Sequence, residues 1–225
     1  MWKEKVSGCG TDTGNKIVVV RCERLDLMKM QLEYSSVLTG ASFLLYEFKQ
    51  VVSLKEQGHS DQEVRDKVIT ENLFQYEKIS SLKRGLPSVI RRVNVLDDTL
   101  RRFVLESSLE VVKVINLYAI MKTDRLFLEF MEEVIKEKLK MNDYHLEKKE
   151  LNTYFTVKAE QNKNIANWTE NTIRKLKQIY IKILLETGIL RDKRSGELNR
   201  LIIDEKVKSY LAHIGDVRYV RAMSE

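Results

Sequence analysis

Across 225 residues this chain has a single proline, Pro87, and nine glycines. Proline and glycine are the residues that stop helices most effectively, one by removing an amide and clashing with the preceding turn, the other by backbone entropy. A chain so poor in both, with 43% hydrophobic and 32% charged residues, is expected to fold as a mainly α protein with a sizeable core.

Hydrophobic periodicity marks out the helices. Ser36–Gln57 carries Leu44, Phe48, Val51 and Val52 at helical spacing and stops at Gly58. Ser60-Asp61-Gln62-Glu63 is a capping box, since the hydroxyl can accept from the fourth residue's amide while the glutamate reaches back; it opens a helix to about Thr70. Ile79, Leu82, Leu86, Val89, Ile90 and Val93 form one stripe of a third helix, with Arg84, Ser88 and Arg91 opposite; Pro87 predicts a start near Gly85 or a kink. Helices follow over Asp97–Glu106 and Ser107–Lys122. The second is apolar nearly all round and belongs at a domain centre. Another runs from Asp124 to about Lys140, and the polar stretch Met141–Lys149 reads as a domain joint.

Beyond the joint come short helices over Leu151–Lys158 and Asn162–Asn167, then a longer helix with Thr169 as N-cap and Gly188 as its end. Ile189-Leu190, the polar turn 191–196 and Leu198–Ile203 read as a small β-hairpin, and Glu205–Ile214 as a last helix. Short helix, turn, longer helix, basic hairpin is the order of a winged helix-turn-helix. The expected architecture is an N-terminal helical bundle over 30–140 with a helix-turn-helix-like unit, and a C-terminal winged-helix-like domain over 141–225. Residues 1–29 hold both cysteines, Cys9 and Cys22, show no helical period, and read either as a disordered tail or as a start-site artefact.

Charge divides unevenly along the chain. The net +6 lies wholly in residues 136–225, with 19 basic against 13 acidic; residues 1–135 balance at 20 each. Most of the excess falls in 158–194, nine basic against four acidic. A basic segment points to a polyanion. On the Thr169–Thr187 helix, Ile173, Leu176, Tyr180, Ile183 and Leu184 form an anchoring stripe; Asn171, Arg174, Lys175, Gln178 and Lys182 fall opposite. Arg and Lys suit phosphate or guanine, Asn and Gln adenine. With Thr169 and Thr172 at the helix start, and Arg191, Lys193 and Arg194 at the wing tip, these residues are the candidate contacts to double-stranded DNA. A second, weaker set is Lys83, Arg84 and Arg91, with Arg92, facing outward from the N-terminal unit.

Signals for other functions are sparse. His59, His145 and His213 fit no metal-ligand spacing, and no phosphate loop, dinucleotide motif or nucleophile elbow occurs. No catalytic residue, metal or cofactor is expected, and the chain reads as non-enzymatic. No secretory signal stands out, and the most apolar stretch, Leu109–Met121, is interrupted by Glu110, Lys113 and Asn116 and falls short of the ~20 residues a membrane span needs. A cytoplasmic protein without a membrane partner is the simplest reading.

Ordered pieces of the sequence also carry a family resemblance. They are Tyr34-Ser35-Ser36 with Gly40-Ala41 and Glu47, then Gly58, and Asn72-Leu73-Phe74. Leu128-Glu129-Phe130 and Glu133-Val134 follow, then Trp168-Thr169-Glu170-Asn171-Thr172 with Lys175-Leu176, and finally the run Leu184–Leu190. In this order and spacing, from about Gln31 onward, the chain resembles the BrxA family of BREX (bacteriophage exclusion) phage-defence systems. Residues 1–29 have no counterpart in that pattern, and Pro87 departs from it. The resemblance implies an almost all-helical bacterial protein with helix-turn-helix-like units that binds double-stranded DNA, working beside an ATPase, a DNA methyltransferase and a phosphatase-like protein. It implies no enzymatic activity. Two rival roles remain open, a protein–protein adaptor that docks other BREX components and a transcriptional repressor of the defence cluster.

Overall fold

A computed structural model describes residues 32–224; the expectation for residues 1–29 lies outside them. The chain is mainly helical. A 3-10 turn, Val37–Gly40, precedes α1 (Leu45–Glu56), α2 (Asp61–Thr70), α3 (Ile79–Asn94), α4 (Asp98–Glu106) and α5 (Leu109–Thr123). Then α6 (Arg125–Phe130) continues through a π turn, Met131–Lys136, into α7 (Glu137–Lys140). The rest is α8 (Lys148–Gln161), α9 (Lys163–Ala166), α10 (Glu170–Thr187), α11 (Glu205–His213) and α12 (Val217–Ser224).

As its apolar circumference requires, α5 takes the centre. Val114 to Met121 are all buried, and α1, α3, α4, α6 and α10 pack against this helix. Local chemistry sets the boundaries around it. Ser60 and Glu63 form the capping box, Asp97 caps α4, and Asp124 caps α6 by accepting from the Phe127 amide at 2.8 Å.

The first expected helix is interrupted. Leu44 takes a left-handed conformation, φ 48°, and Ala41–Phe43 stay outside any helix ahead of α1. Its carbonyls are satisfied from elsewhere: Arg92 donates to Ala41 O at 2.5 Å and Phe43 O at 3.0 Å, and Asn116 to Phe43 O at 2.7 Å. This places Arg92 in the core, 1% exposed, where the sequence pattern had it outward; Ser88, also read as outward, is buried as well. Burial pushes the Arg92 pKa down to about 10, against the opposing pull of Asp124 and Glu47. The third helix does not begin near Gly85 but runs from Ile79 through Pro87 to Asn94. Pro87 lies inside α3 on its exposed side, so the amide it lacks costs no buried partner.

Two further expectations are corrected. No strand forms among the described residues where a β-hairpin wing is expected; there are isolated bridges, Leu190 with Leu198 and His145 with Glu197. Arg191 N donates to Glu197 O and Asn199 N to Ile189 O across the turn, while on the other edge Leu198 N donates to Tyr144 O and Leu146 N to Gly196 O. The chain after Asn199 is drawn away by Arg200, whose guanidinium donates to Leu139 O at 2.6 Å and to the Tyr144 hydroxyl at 3.1 Å. Nor does a division fall between 140 and 141: Glu33–Glu225 packs as one compact unit. Tyr180 on α10, fully buried, stacks edge-on against Phe127 at 4.9 Å and against Phe130 at 5.1 Å and Phe155 at 5.4 Å, so both sides of the expected joint share one core. The terminal helix α12 packs Tyr219 on Tyr118 at 5.2 Å and docks against the π turn.

Candidate nucleic-acid interface

Thr169 opens α10 as its sequence predicts, accepting from the Thr172 amide at 3.2 Å, and Gly188 closes it at φ +82°. The anchoring stripe is set as expected: Leu176, Tyr180, Ile183 and Leu184 are fully buried, while Ile173 is half-buried. The opposite face holds Asn171, Arg174, Lys175, Gln178 and Lys182, all exposed. Arg174 donates to the Asn171 side chain at 2.7 Å, which presets its guanidinium along the helix.

Beyond α10, the turn 191–196 is fixed by Asp192, which accepts from the amides of Arg194 at 2.9 Å and Ser195 at 2.7 Å. Those hydrogen bonds hold its carboxyl below the usual range. Gly196 completes the turn at φ +72°, and a Cβ there would stand 2.5 Å from the Leu146 carbonyl. Lys193 and Arg194 are exposed; Arg191 is engaged with Glu197 at 3.1 Å. Arg174, Gln178 and Lys193 line one groove, so the turn and the outward face of α10 adjoin. Lys83, Arg84 and Arg91 are also exposed, but on α3. The 3-10 turn packs against both α3 and α10, and the Arg84 stem lies over Gly40.

Lys158, counted with the basic segment, turns inward instead. It is 5% exposed and donates to Glu129 and Glu133, each at 2.7 Å. Tyr34 donates to Glu129 at 2.9 Å, and Arg125 does so at 2.9 Å while lying over the Tyr34 ring. Burial works to raise the Glu129 carboxyl, but hydrogen bonds from Lys158, Arg125 and Tyr34 outweigh it and hold the group below its ordinary value.

Sequence reasoning missed Lys177. It lies half-buried between α8 and α10, donating to Asn152 at 2.8 Å and standing 5.6 Å from the Phe155 ring centre. The matching i, i+4, i+8 spacing of Leu151, Phe155, Ala159 and of Ile173, Lys177, Ile181 is the signal that could have found the groove. Among the described residues no group of His, Cys, Asp and Glu is placed to hold a metal ion, and no helix is long and apolar enough to cross a membrane.

A mainly helical unit with a capped helix anchored on one face and cationic on the other defines a class of small, mainly α proteins. Within that class the chain belongs to the BrxA family, whose model matches residues 32–215. It is 38% identical over 188 residues to a BREX protein BrxA of Bacillus cereus (strain H3081.97), covering 83% of this chain and 94% of that protein. A BREX protein BrxA of Paramagnetospirillum magneticum (strain ATCC 700264 / AMB-1) is 23% identical over 190 residues, covering 84% of this chain and 96% of that one. The fold matches a crystal structure of an uncharacterized protein from Magnetospirillum magneticum with a TM-score of 0.75 at 23% identity, covering 85% of this chain and 98% of that one.

Proposed function

We propose that this chain is a non-enzymatic, duplex-DNA-binding accessory protein of a BREX phage-defence system, working in the cytoplasm beside the other BREX proteins. One observation carries the reading. Between Lys163 and Arg194, the cations Lys163, Arg174, Lys175, Lys177, Lys182, Lys193 and Arg194 make no ion pair with a carboxylate among the described residues. A patch of uncompensated positive charge on a helix face and an adjoining turn suits phosphate backbone. Affinity comes mainly from Lys and Arg contacts to phosphate, with modest or no base readout by Asn171 and Gln178.

The test is a titration of a short duplex into the full chain at two salt concentrations. Binding should weaken with salt, with a slope of log affinity on log salt of roughly 0.9 per phosphate neutralised. No binding at low salt, or binding indifferent to salt, overturns the reading.

A further inference from the structure

Between α8 and α10 runs a groove of about 830 Å3, within the size range of small-molecule sites. Its walls are two stripes. Leu151, Phe155 and Ala159 line it from α8; Ile173, Lys177 and Ile181 line it from α10; Leu190 adds apolar surface from the turn. Side chains four residues apart share a helix face, so each helix turns an apolar stripe to the groove, flanked by polar side chains such as Asn152, Thr156 and Gln178, and the α10 stripe is broken at one position.

That position is Lys177. It stands where a leucine would complete the α10 stripe. Its partners are the Asn152 amide oxygen and the face of Phe155, and no carboxylate pairs with it among the described residues. An ammonium surrounded by apolar walls loses hydration without gaining a counter-charge, and burial accordingly draws its pKa down. Arg174, one turn earlier, also lines the groove and bonds to Asn171. The acidic lining residues lie toward the helix ends. Glu147 is tied into the cap of α8 and to Lys149, while Glu160 and Glu170 flank the turn that joins α8 to α10.

We propose that this groove binds an anionic amphiphile, an apolar chain or ring system ending in a carboxylate. The apolar body lies between the two stripes and the carboxylate meets Lys177 and Arg174. The charge pattern selects the sign of the head group. The groove's dimensions and its apolar walls select the body. This assignment goes beyond the duplex-binding reading but shares Arg174 and Lys177 with its cationic patch, so it is tested by amphiphile binding without any nucleic acid.

Dodecanoate, kept below its micelle concentration, is the probe. Calorimetric titration into the full chain should show saturable one-to-one binding. Lys177→Met should weaken it at least about tenfold, the size expected for one charge-assisted hydrogen bond, while keeping cooperative thermal unfolding. Ala159→Trp, which fills the groove from the opposite wall, should abolish binding in a folded protein. Dodecyltrimethylammonium should bind at least about tenfold more weakly than dodecanoate. Failure of dodecanoate to saturate, equal affinity in Lys177→Met, or equal affinity for the cationic amphiphile overturns the proposal.

Discussion

Lys158 and Lys175 are lysines on neighbouring helices of the same basic segment, and the fold treats them in opposite ways. Lys158 is sealed against Glu129 and Glu133, with Tyr34 and Arg125 closing the network. Lys175 is exposed with no carboxylate at hand. The same contrast separates larger regions. Through residue 158, Lys55, Arg101, Lys122, Arg125 and Lys138 each meet a carboxylate. From Lys163 to Arg194 only Arg191 does so among the described residues. In the first region part of the charge fixes helices to one another while Lys83, Arg84 and Arg91 stay exposed, and in the second nearly all of it remains unpaired among the described residues.

The largest test of that contrast is Glu129→Gln. Removing one member of a buried network leaves Lys158 and Arg125 undercompensated, and a loss of about 3–5 kcal/mol is expected in urea unfolding at neutral pH. Glu129 is held below its ordinary carboxyl value of 4.5. Its contribution is therefore full above that value and is lost as pH falls through the depressed one. The gap between wild type and variant should narrow below pH 4.5. A constant gap would mean that packing rather than charge dominates there.

The second test inverts the prediction. Replacing Arg174, Lys175 and Lys182 together by Ala should leave unfolding within about 0.5 kcal/mol and lower the salt slope of duplex binding by roughly 0.9 for each phosphate no longer neutralised. Replacing Lys83, Arg84 and Arg91 by Ala should weaken duplex binding less. If it weakens binding equally, the outward charge of α3 belongs with that of α10, and the division between regions must be redrawn. Smaller still, Thr169→Ala should cost about 1 kcal/mol by removing the cap of α10. Gly188→Ala should cost a similar amount through its left-handed backbone, also read by urea unfolding.

The sequence carried the helices well because their signals are local. Ser60 with Glu63, Thr169 with Thr172, and the apolar ring of α5 each work within a turn or two of chain. It failed where distant residues decide. Nothing near Leu44 announces that Arg92 and Asn116 will claim the carbonyls of Ala41 and Phe43 and break a predicted helix. Arg92 falls beside Arg91 in a stretch that also reads as surface, and only the tertiary fold turns one inward. The expected hairpin shrinks to a single bridge, with Arg191 N donating to Glu197 O and Asn199 N to Ile189 O, while residues 144–146, far upstream, pair with the other edge of 196–198. Of the candidate interface, the α10 face was legible by periodicity alone. The groove was not, because it depends on where α8 stands, and a helix's own pattern does not say which neighbour it will face.

The π turn at Met131–Lys136 has a consequence for comparing relatives. A π turn fits one residue more into a helix than an α-helix would hold, and each residue advances an α-helix by about 100°. Lys138 and Leu139 therefore keep their facing relative to Glu129 because the wide turn absorbs the surplus residue. A relative lacking it would align with a one-residue gap somewhere in 131–136. In that relative the turn would close as ordinary α-helix and the counterpart of Lys138 would still face those of Asp143 and Glu150; a relative that kept the residue without the π turn would instead have α7 rotated by about 100°. A gap of that kind is therefore compatible with an unchanged clamp, whereas an extra residue without the wide turn would undo it.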